Sequence, residues 1–180
     1  MKYFYNKNRI AGHNSGFTLI ETLVAIAILL VAVASPLIVS QRGIAAANSA
    51  KEQMIAYYLA QDATEQIRAI RDNNSLVSPK RDWLDGLSQC TNTASCTIDL
   101  YGNPAHSVEF SSVNSGPLKF DATNSYYRYT TGVDTPFARV FYLTPELANN
   151  GEVLVNVEVT WSSGGVPHRV VIQSRIFNIR

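Results

Sequence analysis

From Thr22 to Gln41 the sequence carries no charge, and from Phe17 to Val39 nearly every side chain is apolar. Those 23 residues, at 1.5 Å each, make a helix of roughly 34 Å, enough to cross a ~30 Å hydrocarbon core. A membrane span is the reading this stretch imposes. Lys2, Lys7 and Arg9 all precede the first acidic residue, Glu21. That asymmetry predicts a single pass with the N-terminus in the cytoplasm and the remainder exported. The rest of the 180 residues has room for one ordinary domain, and 15 basic against 14 acidic residues give no global pull toward nucleic acid.

The order of segments is not that of a secretory signal, which places its apolar stretch before a small-residue cleavage site. Here a polar leader, residues 1–16, comes first and ends in Gly16. Removal of that leader leaves the hydrophobic segment on the protein. Glu21 lies inside the segment, and a carboxylate at the centre of a membrane helix costs ~2.5 to 3.5 kcal/mol, so it needs a partner. If the leader is cut before Phe17, the new α-amino group, with a reference pKa near 8, supplies one. In a continuous helix Glu21 stands four residues, about 6 Å, from its own amine. A neighbouring chain staggered by one turn offers its amine instead.

The run Gly16, Phe17, Thr18, Leu19, Ile20, Glu21 resembles the prepilin peptidase site shared by type IV pilins, type II secretion pseudopilins and competence pseudopilins. The resemblance combines a short basic leader, Gly at the cut, an aromatic first residue, Glu at the fifth mature position and an unbroken apolar helix. It implies cleavage between Gly16 and Phe17, N-methylation of Phe17, and a role for Glu21 in aligning incoming subunits. It also implies the partners: prepilin peptidase/methyltransferase, other pilin or pseudopilin subunits, an inner-membrane assembly platform and membrane lipid. Pro36 removes one backbone donor and crowds the carbonyl of Ala32, so a kink or a helix break is expected there.

Beyond Gly43 the apolar residues Ile44, Ala47, Met54, Ile55, Tyr58, Leu59, Ala63, Ile67 and Ile70 recur at three- and four-residue steps. This is an amphipathic helix expected to stop near Asp72, where Asn73, Asn74, Ser75 and Pro79 follow. The whole, from Phe17 to Asp72, is a rod of roughly 84 Å. The segment from Tyr57 to Asn73 is also similar to the helix of minor pilins and pseudopilins of the V and I classes.

From Asn73 onward the period becomes two. Val153, Val155, Val157, Val159 and Trp161 form one apolar strand face, Ser162 to Gly165 a hairpin turn, and Pro167 to Asn178 a return strand. Weaker strand signals lie at Ser107 to Phe110, Tyr126 to Thr131 and Phe137 to Leu143. The expected fold is α+β: a long N-terminal helix, its second half laid on a C-terminal antiparallel sheet, the lollipop that the resemblance also implies. The expected parts are a cleaved leader (1–16), a transmembrane and assembly half-helix (17–39), an amphipathic half-helix (40–72) and an exported head (73–180).

Cys90 and Cys96 bracket a polar loop in the exported part, where an oxidising compartment favours a disulfide. Metal binding is not expected, since there is no second Cys pair and neither His106 nor His168 falls at ligand spacing. Many major pilins bracket a C-terminal loop with cysteines, but residues 97–180 here contain none. That departure favours a minor subunit. His13 falls in the leader. No nucleophile elbow, P-loop or zincin motif is present, no catalytic residue is assigned, and no cofactor is called for. Residues 73–180 hold eight Lys or Arg and nine Asp or Glu with no basic run, so no nucleic-acid partner is expected.

The sequence therefore reads as a non-enzymatic structural subunit, a minor pilin or pseudopilin of a type IV pilus or a type II secretion filament. It would reside in the inner membrane and then in a filament outside it. A filament-tip adhesin or DNA-uptake pilin with a ligand-binding head is the first alternative, and a membrane-anchored enzyme the second.

Overall fold

The computed structural model describes residues 16–79, 81–99, 108–109, 116–145 and 151–179. Its contacts divide the chain into two compact units at the Ala47/Asn48 boundary. One helix, α1 (Leu19–Leu76), contributes to both. In the first unit it carries the apolar stretch, and every residue from Gly16 through Ala47 is exposed.

The second unit is an α+β head: the C-terminal half of α1 packed on antiparallel sheet. The strands are β1 (Thr97–Ile98), β2 (Val108–Glu109), β3 (Lys119–Asp121), β4 (Tyr126–Arg128), β5 (Val133–Asp134), β6 (Ala138–Pro145), β7 (Glu152–Ser163) and β8 (Val166–Phe177). The expected sheet is three sheets among the described residues, β6-β7-β8 being the principal one beside β4-β3-β5 and β1-β2. The β7–β8 hairpin follows the period-two pattern. Val153, Val155, Val157, Val159 and Trp161 are buried, and Val159 pairs with Val170 and Val157 with Ile172. Its turn is tighter than expected, only Gly164 and Gly165, with φ of +58° and +81°. Two positive φ angles in succession suit the strand twist and favour glycine at both positions.

The buried stripe of α1 keeps Leu59, Ala63, Ile67 and Ile70 of the expected one and departs from it elsewhere. Ala56, Leu59, Ala60, Ala63, Ile67 and Ile70 face the core, while Ile44, Met54 and Tyr58 are exposed. The departures are the small Ala56 and Ala60, which are fully buried where larger neighbours are not. The helix also runs four residues past Asp72. Asn74, expected in a polar stop, is buried, and its Nδ2 donates to the carbonyl of Asp85 at 2.8 Å and to that of Trp83 at 3.4 Å.

Cys90 and Cys96 form a disulfide with Cα atoms 5.4 Å apart, and both are buried. The loop they close lies along β6. Cys96 and Phe141 exchange backbone hydrogen bonds of 2.8 and 2.9 Å, and Leu143 N–H donates to the Cys90 carbonyl at 2.7 Å. The edge of β6 is thereby covered, which removes one site of edge-to-edge pairing. The outer edge of β8 has no strand partner among the described residues, and it carries Pro167, Arg169 and Arg175, residues that discourage strand addition.

The least expected feature of the core is Arg139, 2% exposed on the inward face of β6. Its Nη1 donates to the Leu59 carbonyl at 2.9 Å and to Asp62 Oδ2 at 2.8 Å, and its Nη2 donates to the Ile98 carbonyl at 3.0 Å. One guanidinium thus joins α1, β1 and β6. The Tyr129 hydroxyl donates to the Arg139 carbonyl, and burial pushes that phenol's pKa up.

Removing one member of a buried pair strands the other charge, at a cost of ~3 kcal/mol or more, whereas removing both costs less. Asp62→Ala is therefore expected to destabilise the head by about 3 kcal/mol, and Asp62→Leu with Arg139→Met by less. Trp83 and Trp161 are both buried in the head, so their fluorescence during denaturant unfolding of the full chain in non-ionic micelles measures the difference.

Candidate processing and assembly site

Gly16, Phe17 and Thr18 precede the helix in non-helical conformation. Thr18 is the N-cap. Its Oγ1 accepts from Glu21 N–H at 3.3 Å, and its carbonyl accepts from Glu21 and Thr22 N–H at 3.1 and 3.2 Å. Thr18-Leu19-Ile20-Glu21 has the spacing of a capping box. Glu21 therefore sits in the first turn, where a carboxylate complements the positive end of the helix dipole. Sequence reading passed over Thr18, although a Thr three residues before a Glu at the head of an apolar run is a helix-start signal. Since α1 begins at Leu19, the 6 Å separation of Glu21 from the Phe17 nitrogen, which assumes helix from Phe17 onward, does not apply.

The helix is continuous through Pro36, so the expected break there is not observed. Pro36 offers no N–H to the Ala32 carbonyl. One residue earlier, the Ser35 hydroxyl donates to the Val31 carbonyl at 3.0 Å. Around this point the side chains of Leu23, Ile26, Leu30, Val33 and Leu37 are all exposed. By length and composition the helix is apolar enough to cross a membrane.

His168 stacks on Trp161 with ring centroids 5.3 Å apart, and Arg169 and Arg175 pair with Glu158 and Glu152 at 2.9 and 3.1 Å. His13 and His106 lie outside the described residues. Among the described residues no group of three His, Cys, Asp or Glu is placed to hold a metal ion.

Residues 12–35 match the family model described as the prokaryotic N-terminal methylation motif. The matched stretch contains the Gly16–Phe17 junction, Glu21 and most of the apolar segment. It supports a type IV pilin or pseudopilin, and so a type IV pilin-like filament subunit anchored in a membrane. The motif implies processing by prepilin peptidase and assembly with other pilin subunits, and its family is one of structural subunits. No curated protein and no solved structure matches the chain.

Loss of an N-cap hydroxyl costs a helix ~1 kcal/mol. Thr18→Ala is expected to fray the first turn, which amide exchange of Glu21 and Thr22 in micelles would register as faster exchange, with Thr18→Ser close to wild type.

Proposed function

We propose that the chain is a minor pilin or pseudopilin, made as a precursor, cut between Gly16 and Phe17, methylated on Phe17 and built into a filament through α1. The observation that carries this reading is Glu21, a carboxylate at the start of an exposed apolar helix, within the matched motif and the fifth residue after the cut. Lipid or helix packing leaves that carboxylate in need of a cation, and the amine created by cleavage in a neighbouring subunit provides it. Lys2, Lys7 and Arg9 support a cytoplasmic N-terminus, and the Cys90–Cys96 bridge supports a head on the oxidising side. The placement of both cysteines before residue 97, on the flank of β6, supports the minor over the major class, and the Tyr57 to Asn73 segment supports the V or I type.

Register through Glu21 has a direct test. Glu21→Ala is expected to be cleaved and membrane-bound like wild type, yet recovered in sheared filaments at no more than about a tenth of the wild-type level, a drop that corresponds to ~1.4 kcal/mol. Wild-type recovery would remove Glu21 from the assembly step.

A further inference from the structure

The described part of the first unit holds two charged residues, Glu21 and Arg42, one at each end of the uncharged stretch of α1. Both are exposed, and neither makes an ion pair among the described residues. Arg42 follows Glu21 by 21 positions. That is ~31 Å of helix, close to the ~30 Å thickness of a hydrocarbon core. On the proposed topology Glu21 starts at the cytoplasmic side of the bilayer and Arg42 at the opposite side. A copy raised by the length of its own apolar span therefore carries Glu21 to the level of Arg42 in a copy that has not moved.

The angular spacing suits the same contact. At ~100° per residue, 21 positions fall ~60° short of whole turns, so the two charges lie on adjoining faces of one helix. Helices packed side by side around a common axis see their two adjacent neighbours at a similar angle. One helix can thus offer Glu21 to the copy below it and Arg42 to the copy above it, and the contact repeats along a filament. The same shift sets Ala25 of the raised copy against Ala45 and Ala46 of the lower one, all three exposed. Residues this small let two helices approach closely. Smaller shifts set Arg42 against the uncharged residues 22–41, whereas this one lets each charge satisfy the other.

We propose that in the assembled filament Glu21 of one copy pairs with Arg42 of a second copy of this chain, shifted by 21 positions along α1. The occupant is a second copy because α1 itself carries both halves of the pair. A carboxylate has two oxygens, so it accepts from this guanidinium as well as from the amine of a copy staggered by one turn. Arg42 receives the carboxylate once it has crossed the apolar layer, and the pairing then opposes its return. This inference rests on the proposed function, to which it adds the second partner of Glu21.

The test expresses full-length chains in cells that assemble the filament and measures cleavage, membrane binding and recovery in sheared filaments. Arg42→Gln is expected to be cleaved and membrane-bound like wild type but recovered in filaments at about a fifth of the wild-type level, with Arg42→Lys near wild type. Added to Glu21→Ala, Arg42→Gln is expected to cause no further loss, because its partner is already gone. A chain carrying both Ala25→Cys and Ala45→Cys is expected to form disulfide-linked dimers in sheared filaments, above the level of either single variant. Wild-type recovery of Arg42→Gln while Glu21→Ala stays depleted would overturn the pairing and leave the proposed function standing. Wild-type recovery of Glu21→Ala would remove both. Losses that multiply in the double variant, the result if Arg42 serves a lipid phosphate instead, would also overturn the pairing, as would filaments that contain the cysteine chain without dimers.

Discussion

An apolar helix exposed from its first turn to Ala47 cannot remain in water, and that constraint organises the rest of the molecule. At ~25 cal/mol per Å² of apolar surface, side chains such as Leu23, Ile26, Leu30 and Leu37 each favour removal from water by about 1.5 to 3 kcal/mol. Lipid can cover them, and so can other helices of the same kind. On the proposed reading the helix serves both as an anchor and as a polymerisation surface. Its start is defined by Thr18, which caps the helix two residues after the Gly16–Phe17 bond and fixes Glu21 in the first turn. Its passage through Pro36 without interruption is consistent with the tolerance of proline in membrane helices, where neighbouring helices or Ser and Thr side chains satisfy the freed backbone groups.

The head does not draw on that surface for its core. It closes around Arg139, whose guanidinium holds the Leu59 carbonyl, Asp62 and the Ile98 carbonyl. Further ties run along α1 toward its end: Arg68 Nη2 donates to Ser174 Oγ at 2.8 Å, and Asn74 secures the turn at Trp83 to Asp85. The disulfide loop covers one edge of the main sheet, and proline and arginine guard the other.

Local chemistry was legible in the sequence, and chemistry assembled across distance was not. The apolar span and the β7–β8 hairpin are each written in contiguous residues and could be read by spacing alone, whereas the Gly16–Phe17 junction was read by resemblance. The helix stripe was misread in part because burial also fell on Ala56 and Ala60, whose small size gives a weak hydrophobic signal, while Met54 and Tyr58 gave a strong one and face outward. Arg139 was missed although a clue was present: in the alternation of β6 it shares the face of Phe141 and Leu143, and an arginine in an apolar register is either a break in the strand or a buried ion pair. Asp62, its partner, is 77 residues away.

The central claim is that one cut keeps the helix on the protein and creates the amine that Glu21 needs. The intact mass of the chain extracted from membranes with active peptidase tests it most directly. A chain beginning at N-methylated Phe17, with residues 1–16 gone, is the predicted result. A chain that still begins at Met1, or one cut beyond the apolar helix, would contradict it.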